Sequence, residues 1–246
     1  MTEFINKLGR SAIFFAQIFY YSFERPFSVN RLLAEIVEIG TASLPVVIIA
    51  LLFTGVDLGF QSFYQFKVIQ AETFVGAVTG LAVVRELGPV LVAVILAGRS
   101  GSATTARLGT MKVTEQLDAL EAMAINSKKY LGVPKLWAFI VSGPLLTLVG
   151  DMVGIIGGYL SGVVLLHISK AAFLIKTKEY LHVYDFTDGL IKGLVFSVII
   201  GVISIYNGFA VEGGSKGVGK NTTRTVILSY VLILVANYFL SIFLRR

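Results

Sequence analysis

The sequence contains no cysteine and only two histidines, His167 and His182, among its 246 residues. It therefore has no disulfide, thiolate catalyst or cysteine-ligated metal, and it offers too few histidines for a multi-histidine metal centre. Charge is also scarce, because 15% of the residues are charged against about 25% in soluble domains. With 55% hydrophobic residues and a mean hydropathy of +0.80, the composition predicts an integral membrane protein.

Long apolar runs supply the predicted fold, since a helix needs about 20 such residues to cross a bilayer core. Five segments qualify, namely Ile36–Phe60, Phe74–Gly98, Leu136–Leu166, Gly189–Val211 and Thr225–Leu244. Residues 1–23 instead mix phenylalanine and leucine with basic and polar residues, which is typical of a helix lying in the membrane interface. We predict an all-α membrane protein, with an interfacial helix over residues 1–30 and a five-span domain over residues 31–246.

The distribution of Lys and Arg predicts the orientation of the spans. If the N-terminus is cytoplasmic, more than half of the 21 basic residues fall in cytoplasmic segments, as the positive-inside rule requires. The N-terminal segment has no run of small residues ending in a cleavage site, so we expect it to be retained.

Glycines recur four residues apart within several of these segments. The sets are Gly55/Gly59, Gly76/Gly80, Gly154/Gly158/Gly162 and Gly189/Gly193. In lipid, this spacing lets helix backbones approach closely. It favours helix packing within one chain, with a dedicated dimer face as the alternative.

The stretch "VVRELGPV" carries the highest predicted free energy of membrane insertion in the sequence, because it places Arg85 and Glu86 inside the second apolar segment. One arginine there costs about 2.5–3.5 kcal/mol on insertion scales, and the following Pro89 removes a helical hydrogen bond. Two interpretations stay open: both residues have buried partners that hold helices in register, or they face a polar cavity that handles a charged headgroup. Further candidates of this kind are Asp57, Asp151, Asp188 and Lys192.

Two motif matches suggest enzymes, and both fail on context. Gly98–Gly101 fits the G-x-S-G pattern of intramembrane serine proteases, but about 30 Å of membrane would separate Ser100 from either histidine. The stretch "GGSKGVGKNTT" approaches the phosphate-binding signature G-x-x-x-x-G-K-[ST], with Asn221 in place of Ser or Thr. That signature needs a buried strand before it, whereas this stretch lies between two apolar spans. We interpret it as the cytoplasmic turn between spans four and five, and we predict no catalytic residue.

The stretch "VTEQLDALEAMAINSKKYLGVPK" predicts an amphipathic cytoplasmic helix between spans two and three. Glu115, Asp118 and Glu121 share one face by their spacing of three, and Thr114 is a plausible N-cap. The opposite face carries Leu117, Leu120 and Ala124. The helix is either a solvated surface helix or docks into a groove on a cytoplasmic partner, and we favour docking.

The run "LAVVRELGPVLVAVILAGRSGSATTARLGTMKVTEQLDALEAMAI" resembles the signature region of MlaE-type permeases, the membrane subunits of ABC transporters that work with MCE proteins. The likeness continues through "SGPLLTLVGDMVGIIGGYLSG", "IKGLVFSVIIGVISIYNGF" and "GGSKGVGKNTTRTVI", and covers roughly residues 35–235.

The resemblance implies a permease without enzymatic activity or a cofactor of its own, in a multi-pass protein of the bacterial inner membrane. Two copies would form a homodimer above a cytoplasmic ABC ATPase dimer that binds ATP. A hexameric periplasmic MCE protein and, in many systems, a STAS-domain protein would complete the assembly. The cargo would be phospholipid moved between the inner and outer membranes, which maintains outer-membrane lipid asymmetry; no nucleic acid is implied.

The resemblance also implies roles for particular residues. The lipid pathway would include Arg85, Glu86 and Lys192. The end of the first span and the segment after it would line a pocket between the two copies with Leu58, Gln61, Phe66 and Ile69. Coupling to the ATPase would use Glu115, Gln116, Leu117, Asp118, Leu120, Glu121 and Met123. Two features depart from the family pattern: Asn237 stands where some relatives have an acidic residue, and Lys67 lies beside the expected lipid entrance.

Two other functions fit a membrane protein with an intramembrane charged pair. A secondary transporter using Glu86 as a proton site would work without an ATPase, but it is expected to contain internal repeats, and none is evident. A non-transporting membrane scaffold would use the charged pair for structure alone.

Overall fold

The computed structural model describes residues 14, 16–22 and 29–244 of the chain. Over this part, all regular structure is helical. The helices are α1 (Val29–Ile39), α2 (Leu44–Lys67), α3 (Glu72–Val113), α4 (Gln116–Ala122), α5 (Lys128–Leu165), α6 (Lys170–Tyr180), α7 (Val183–Phe209) and α8 (Gly214–Leu244). Five helical stretches are long and apolar enough to cross a membrane: α1 with α2, and α3, α5, α7 and α8. The predicted all-α membrane fold is confirmed.

The predicted interfacial helix over residues 1–30 lies largely outside the described residues. Residues 16–22 are helical, and Phe14 and Ile18 are buried against Leu108, Val133 and Ile205. The assignment of this segment to the membrane interface stays a prediction.

The first span, predicted over Ile36–Phe60, is built from two helices, and the longer one, α2, begins and ends later than the prediction. Helix α1 stops at Ile39, and a single 3-10 turn, Thr41–Ser43, separates it from α2. Pro45 stands in the first turn of α2, where its missing N–H costs nothing and its fixed φ favours helix initiation. The proline therefore sets a new helix start that an apolar run does not reveal.

The chain divides into two compact units. The first contains Leu96–Ser142, Ser197–Leu232 and the described residues up to Ala42; the second contains Ser43–Ile95, Gly143–Phe196 and the residues from Ile233 onward. The core of the first unit is built around Leu108, Leu136 and Ile205. In the second unit, Val75, Ile168 and Phe173 form a cluster on which Phe66 packs.

The glycines allow close helix packing inside the second unit. A Cβ on Gly55 would overlap the carbonyl of Gly154, and one on Gly193 would lie 2.6 Å from Thr147 Oγ1. A Cβ on Gly158 would lie 2.7 Å from Thr79 Cγ2. Packing within one chain, the favoured interpretation of the spacing, is confirmed at these positions.

The glycine-rich stretch predicted as a turn is mostly helix. Helix α8 begins at Gly214, and the reversal is confined to residues 210–213, where Gly213 has a φ of +85°. Asn221 donates a hydrogen bond to the Asn207 carbonyl at 3.2 Å, which ties the first turns of α8 to α7. Helix α7 precedes the stretch where a phosphate-binding loop needs a strand.

Helix α6, between the third and fourth spans, was not predicted. It packs on the start of α3, where the rings of Phe74 and Tyr180 lie 5.7 Å apart. Its Lys176 Nζ donates to Glu179 at 2.8 Å, and this hydrogen bond raises the pKa of Lys176. This helix of mixed polarity has 11 residues, so it leaves no signal in a search for apolar runs of about 20 residues.

Candidate functional site

Helix α3 departs from regular α geometry around the charged pair. Residues Val83–Leu87 form a π turn, and π turns occur often at functional sites. Pro89 has no N–H, so it leaves the carbonyl of Arg85, four residues earlier, without its helical donor. Lys192 of α7 supplies a donor, because its Nζ lies 2.8 Å from that oxygen. The proline thus creates an acceptor inside the span, and a buried lysine satisfies it.

Glu86 is the centre of a hydrogen-bonded cluster within the second unit. Lys192 Nζ donates to Glu86 Oε2 at 2.9 Å and to Ser241 Oγ at 2.8 Å. Ser241 Oγ and Asn237 Nδ2 donate to Glu86 at 3.1 and 3.2 Å. Lys192 thus has three protein acceptors for its three hydrogens, including the Arg85 carbonyl, and its side chain is 3% exposed. This arrangement compensates the charge of a lysine inside the apolar span.

Arg85 points to a different partner. Its Nε donates to Asp185 Oδ1 at 2.6 Å, and Asp185 Oδ2 accepts the backbone N–H of His182 at 2.7 Å. The Asp185 side chain is 4% exposed, whereas that of Arg85 is 40% exposed. Within the described chain, the terminal nitrogens of Arg85 make no hydrogen bond. Arg85 is therefore held through Nε and keeps its outer edge accessible.

Both ion pairs border one cavity of about 430 Å³ in the second unit. It is lined by Arg85, Glu86, Tyr184, Asp185, Asp188, Lys192, Ser241 and Leu244. Asp188 has no hydrogen-bond or ion-pair partner among the described residues. Pockets of about 300–1,000 Å³ are typical of small-ligand sites, so this cavity has room for a polar headgroup. Among the described residues, no group of His, Asp and Glu side chains could hold a metal ion.

The two interpretations of Arg85 and Glu86 both describe part of this arrangement. Each residue has a partner that links α3 to α7, as the structural interpretation required. Each also lines the polar cavity, as the functional interpretation required. Their predicted role in a lipid pathway stays a prediction.

The four residues predicted to line the pocket between two copies lie apart from this cavity lining. Leu58, Gln61 and Phe66 are on α2, and Ile69 follows its end. Gln61 donates to Asp57 at 2.7 Å, Phe66 packs on the cluster of Val75, Ile168 and Phe173, and Ile69 is 68% exposed. None of the four lines the cavity.

Asp151 on α5 is fully buried, and neither carboxylate oxygen has a hydrogen-bond partner among the described residues. Gly88 and Gly189 lie against this carboxyl. A Cβ on Gly88 would collide with Asp151 Oδ1, whereas one on Gly189 would be in ordinary contact with the carboxyl but only 2.6 Å from the Val84 carbonyl oxygen.

The predicted coupling residues lie on and around α4, with one correction. Residues Gln116, Leu117, Asp118, Leu120 and Glu121 are in the helix, while Glu115 and Met123 flank it. Glu115, not Thr114, is the N-cap, at a φ of +58°. The Thr114 hydroxyl instead donates back to the Thr110 carbonyl at 2.9 Å, because it ends α3. Leu117 is buried, whereas Met123 is 63% exposed.

Comparison with known proteins identifies the family. The family model described as Permease MlaE matches residues 32–243. The chain belongs to the MlaE permease family. It is 40% identical to a probable ABC transporter permease protein of Rickettsia typhi over 247 residues, covering 96% of this chain and 95% of the relative. A probable ABC transporter permease protein of Synechocystis is 37% identical over 225 residues, covering 92% of this chain and 86% of that protein.

A further relative carries a more specific name. The intermembrane phospholipid transport system permease protein MlaE of Haemophilus influenzae is 34% identical over 242 residues, covering 97% of this chain and 92% of that protein. The resemblance found in the motifs is confirmed, and the protein is a membrane permease subunit.

Two partners of the charged pair in this MlaE-family permease, Asp185 and Ser241, were missed by sequence reasoning. Asp185 was passed over because it precedes the predicted start of the fourth span, and Ser241 because a serine carries no insertion cost. The helical spacing of both residues was nevertheless visible in the sequence. Asp185 and Asp188 are spaced to share a face of α7 with Lys192, and Ser241 follows Asn237 by one turn of α8.

Proposed function

We propose that this permease is the membrane subunit of an ABC transporter that moves phospholipid between the inner and outer membranes and so maintains outer-membrane lipid asymmetry. ATP would be bound and hydrolysed by a separate cytoplasmic subunit, and the permease itself would perform no covalent chemistry. The name of the Haemophilus relative supports the cargo, and the names of the Rickettsia and Synechocystis relatives support the ATPase.

The observation that carries the proposal is the guanidinium edge of Arg85 in a cavity bordering the membrane spans. Its side chain is held through Nε and remains 40% exposed. Guanidinium groups bind phosphate through two parallel hydrogen bonds. A phosphate headgroup would lie in the cavity while its acyl chains remain among apolar side chains.

Coupling to the ATPase would use α4. Buried Leu117 fixes this short helix to the first unit, while Asp118, Glu121 and Met123 remain exposed. An exposed methionine beside acidic residues suits insertion into a groove on a partner. We propose that the N-terminus and α4 lie on the cytoplasmic side.

The remaining partners follow from family membership. The permease would be a homodimer, with a hexameric MCE protein on the periplasmic side and a STAS-domain protein associated with the ATPase. Leu58, Gln61, Phe66 and Ile69 would line the pocket between the two copies. Side chains along α8, such as Leu234 and Phe243, are exposed in the single chain and are available to lipid or to a second copy.

The test is purification of the permease with the ATPase subunit of its own system and reconstitution into phospholipid vesicles. We expect the two to co-purify and phospholipid to stimulate ATP hydrolysis, and an ATPase variant lacking its catalytic glutamate should abolish lipid transfer. Failure to associate would contradict the proposal. Lipid transfer that continues without the ATPase would instead favour the proton-coupled transporter, in which Glu86 would have to release Lys192.

A further inference from the structure

We propose that the Arg85 cavity selects zwitterionic over anionic phospholipid headgroups, with the lipid phosphate on Arg85 and the headgroup ammonium on Asp188. This inference rests on the proposed function, because it assumes that phospholipid enters the cavity. It adds a preference among phospholipids and a residue that determines it.

The charges lining the cavity are not those of a simple anion site. Arg85 and Lys192 are its cations, and Glu86, Asp185 and Asp188 are its carboxylates, so the described lining carries one excess negative charge. A ligand with a net negative charge would add to that excess. A ligand with one charge of each sign would not.

The two ion pairs decide which groups remain for a ligand. Lys192 is committed to Glu86, Ser241 and the Arg85 carbonyl, and Asp185 is committed to Arg85 Nε and the His182 N–H. The terminal nitrogens of Arg85 and the carboxylate of Asp188 make no such contact within the described chain. The cavity therefore offers one unsatisfied cationic edge and one unsatisfied carboxylate.

Tyr184 strengthens the assignment of the ammonium end. It lies four residues before Asp188, so the two side chains share a face of α7, and both line the cavity. Tyr184 is 83% exposed, which leaves its ring available. A carboxylate beside an aromatic ring suits a primary or quaternary ammonium, because the ring face attracts cations.

Phosphatidylglycerol carries the same phosphate without the ammonium, so it would bind Arg85 but leave Asp188 uncompensated. We expect the loss of one partly exposed charge pair to lower binding by about three- to fivefold. Asp188→Asn removes the carboxylate with little change of shape and should abolish this difference. Glu72→Gln is the matched control, since Glu72 is a carboxylate in the same unit that does not line the cavity.

The experiment exposes the purified permease–ATPase complex, in detergent, to equimolar phosphatidylethanolamine and phosphatidylglycerol with identical acyl chains. Bound lipid is then extracted and quantified by mass spectrometry. We expect the wild type and Glu72→Gln to retain about three- to fivefold more phosphatidylethanolamine, and Asp188→Asn to retain nearly equal amounts.

Equal retention of both lipids by the wild type would overturn the selectivity, and this arm does not depend on the folding of a variant. An unchanged preference in folded Asp188→Asn would overturn the role of Asp188. Either result leaves the proposed function intact, because lipid still binds. A wild-type complex that retains neither lipid and shows no lipid-stimulated ATP hydrolysis would instead overturn the proposed function, and the inference with it.

Discussion

At the scale of single residues, the charged groups of the second unit lower the free energy of burying one another inside the apolar spans. Pro89 leaves the Arg85 carbonyl without a helical donor, and Lys192 donates to that carbonyl and to Glu86. A lysine alone inside a membrane span is energetically unfavourable. Here Lys192 donates hydrogen bonds to the Arg85 carbonyl and to Glu86, which lowers the free energy of burying these two acceptors. The cluster holds α3 and α7 in register and leaves Arg85 accessible.

This interdependence predicts non-additive effects of substitution. Lys192→Met should destabilise the permease by about 2 kcal/mol or more, because it removes a donor from the Arg85 carbonyl and a cationic partner from the Glu86 carboxylate. The double variant Lys192→Met/Glu86→Gln should recover part of that loss, since the negative charge that Lys192 balances is then removed as well. Thermal unfolding in detergent, followed by size-exclusion chromatography, measures both. Lys178→Met on the exposed side of α6 is the control, and strictly additive effects would contradict the interdependence.

At the scale of helices, the sequence predicted the existence of the five spans better than their limits. Apolar runs reveal spans because the bilayer core demands length and hydrophobicity. They do not reveal the break near Gly40, which local proline geometry sets, or the start of α8 at Gly214 inside a polar, glycine-rich stretch. Helix α6, with 11 residues of mixed polarity, is too short to register as an apolar run.

The candidate site was predictable to the extent that its residues are costly in lipid. Arg85, Glu86 and Lys192 stand out because a charge inside an apolar run needs an explanation. Asp185 and Ser241 do not stand out in this way. Their helical spacing from Lys192 and Asn237 is visible in the sequence, but only tertiary packing shows that they bind Arg85 and Glu86. The left-handed backbone of Glu115, which sets the start of α4, is likewise not visible in the residue type.

Helix packing also predicts opposite effects for two glycines. Gly55→Ala should destabilise the permease by about 1–3 kcal/mol, because the added methyl group overlaps the Gly154 carbonyl and forces the helices apart. Gly219→Ala should be neutral or stabilising by up to about 1 kcal/mol, since it lies within α8 with open space around it and alanine favours helix. Comparing thermal midpoints tests this, and equal effects at both sites would contradict the packing argument.

At the scale of the whole molecule, the proposed transporter requires the permease to respond to nucleotide-dependent changes in its ATPase partner. The exposed acidic side chains around α4 supply a test. Glu115→Lys together with Asp118→Lys should lower lipid-stimulated ATP hydrolysis on the order of tenfold, as expected when an interface loses charge complementarity. Insertion and monodispersity should persist because both side chains are exposed. Glu179→Lys on α6 is the matched control, and full activity of the α4 variant would exclude this surface from coupling.

The orientation of the molecule can be tested cleanly because the chain contains no cysteine. In spheroplasts with an intact inner membrane, a membrane-impermeant maleimide should label Lys178→Cys on α6 and spare Met123→Cys beside α4. Both side chains are exposed in the folded chain, so the membrane alone should determine the difference. Lysis should make Met123→Cys reactive, and the cysteine-free wild type gives the background. Labelling of Met123→Cys in intact spheroplasts with protection of Lys178→Cys would reverse the orientation, and α4 would then be on the wrong side of the membrane to contact an ATPase.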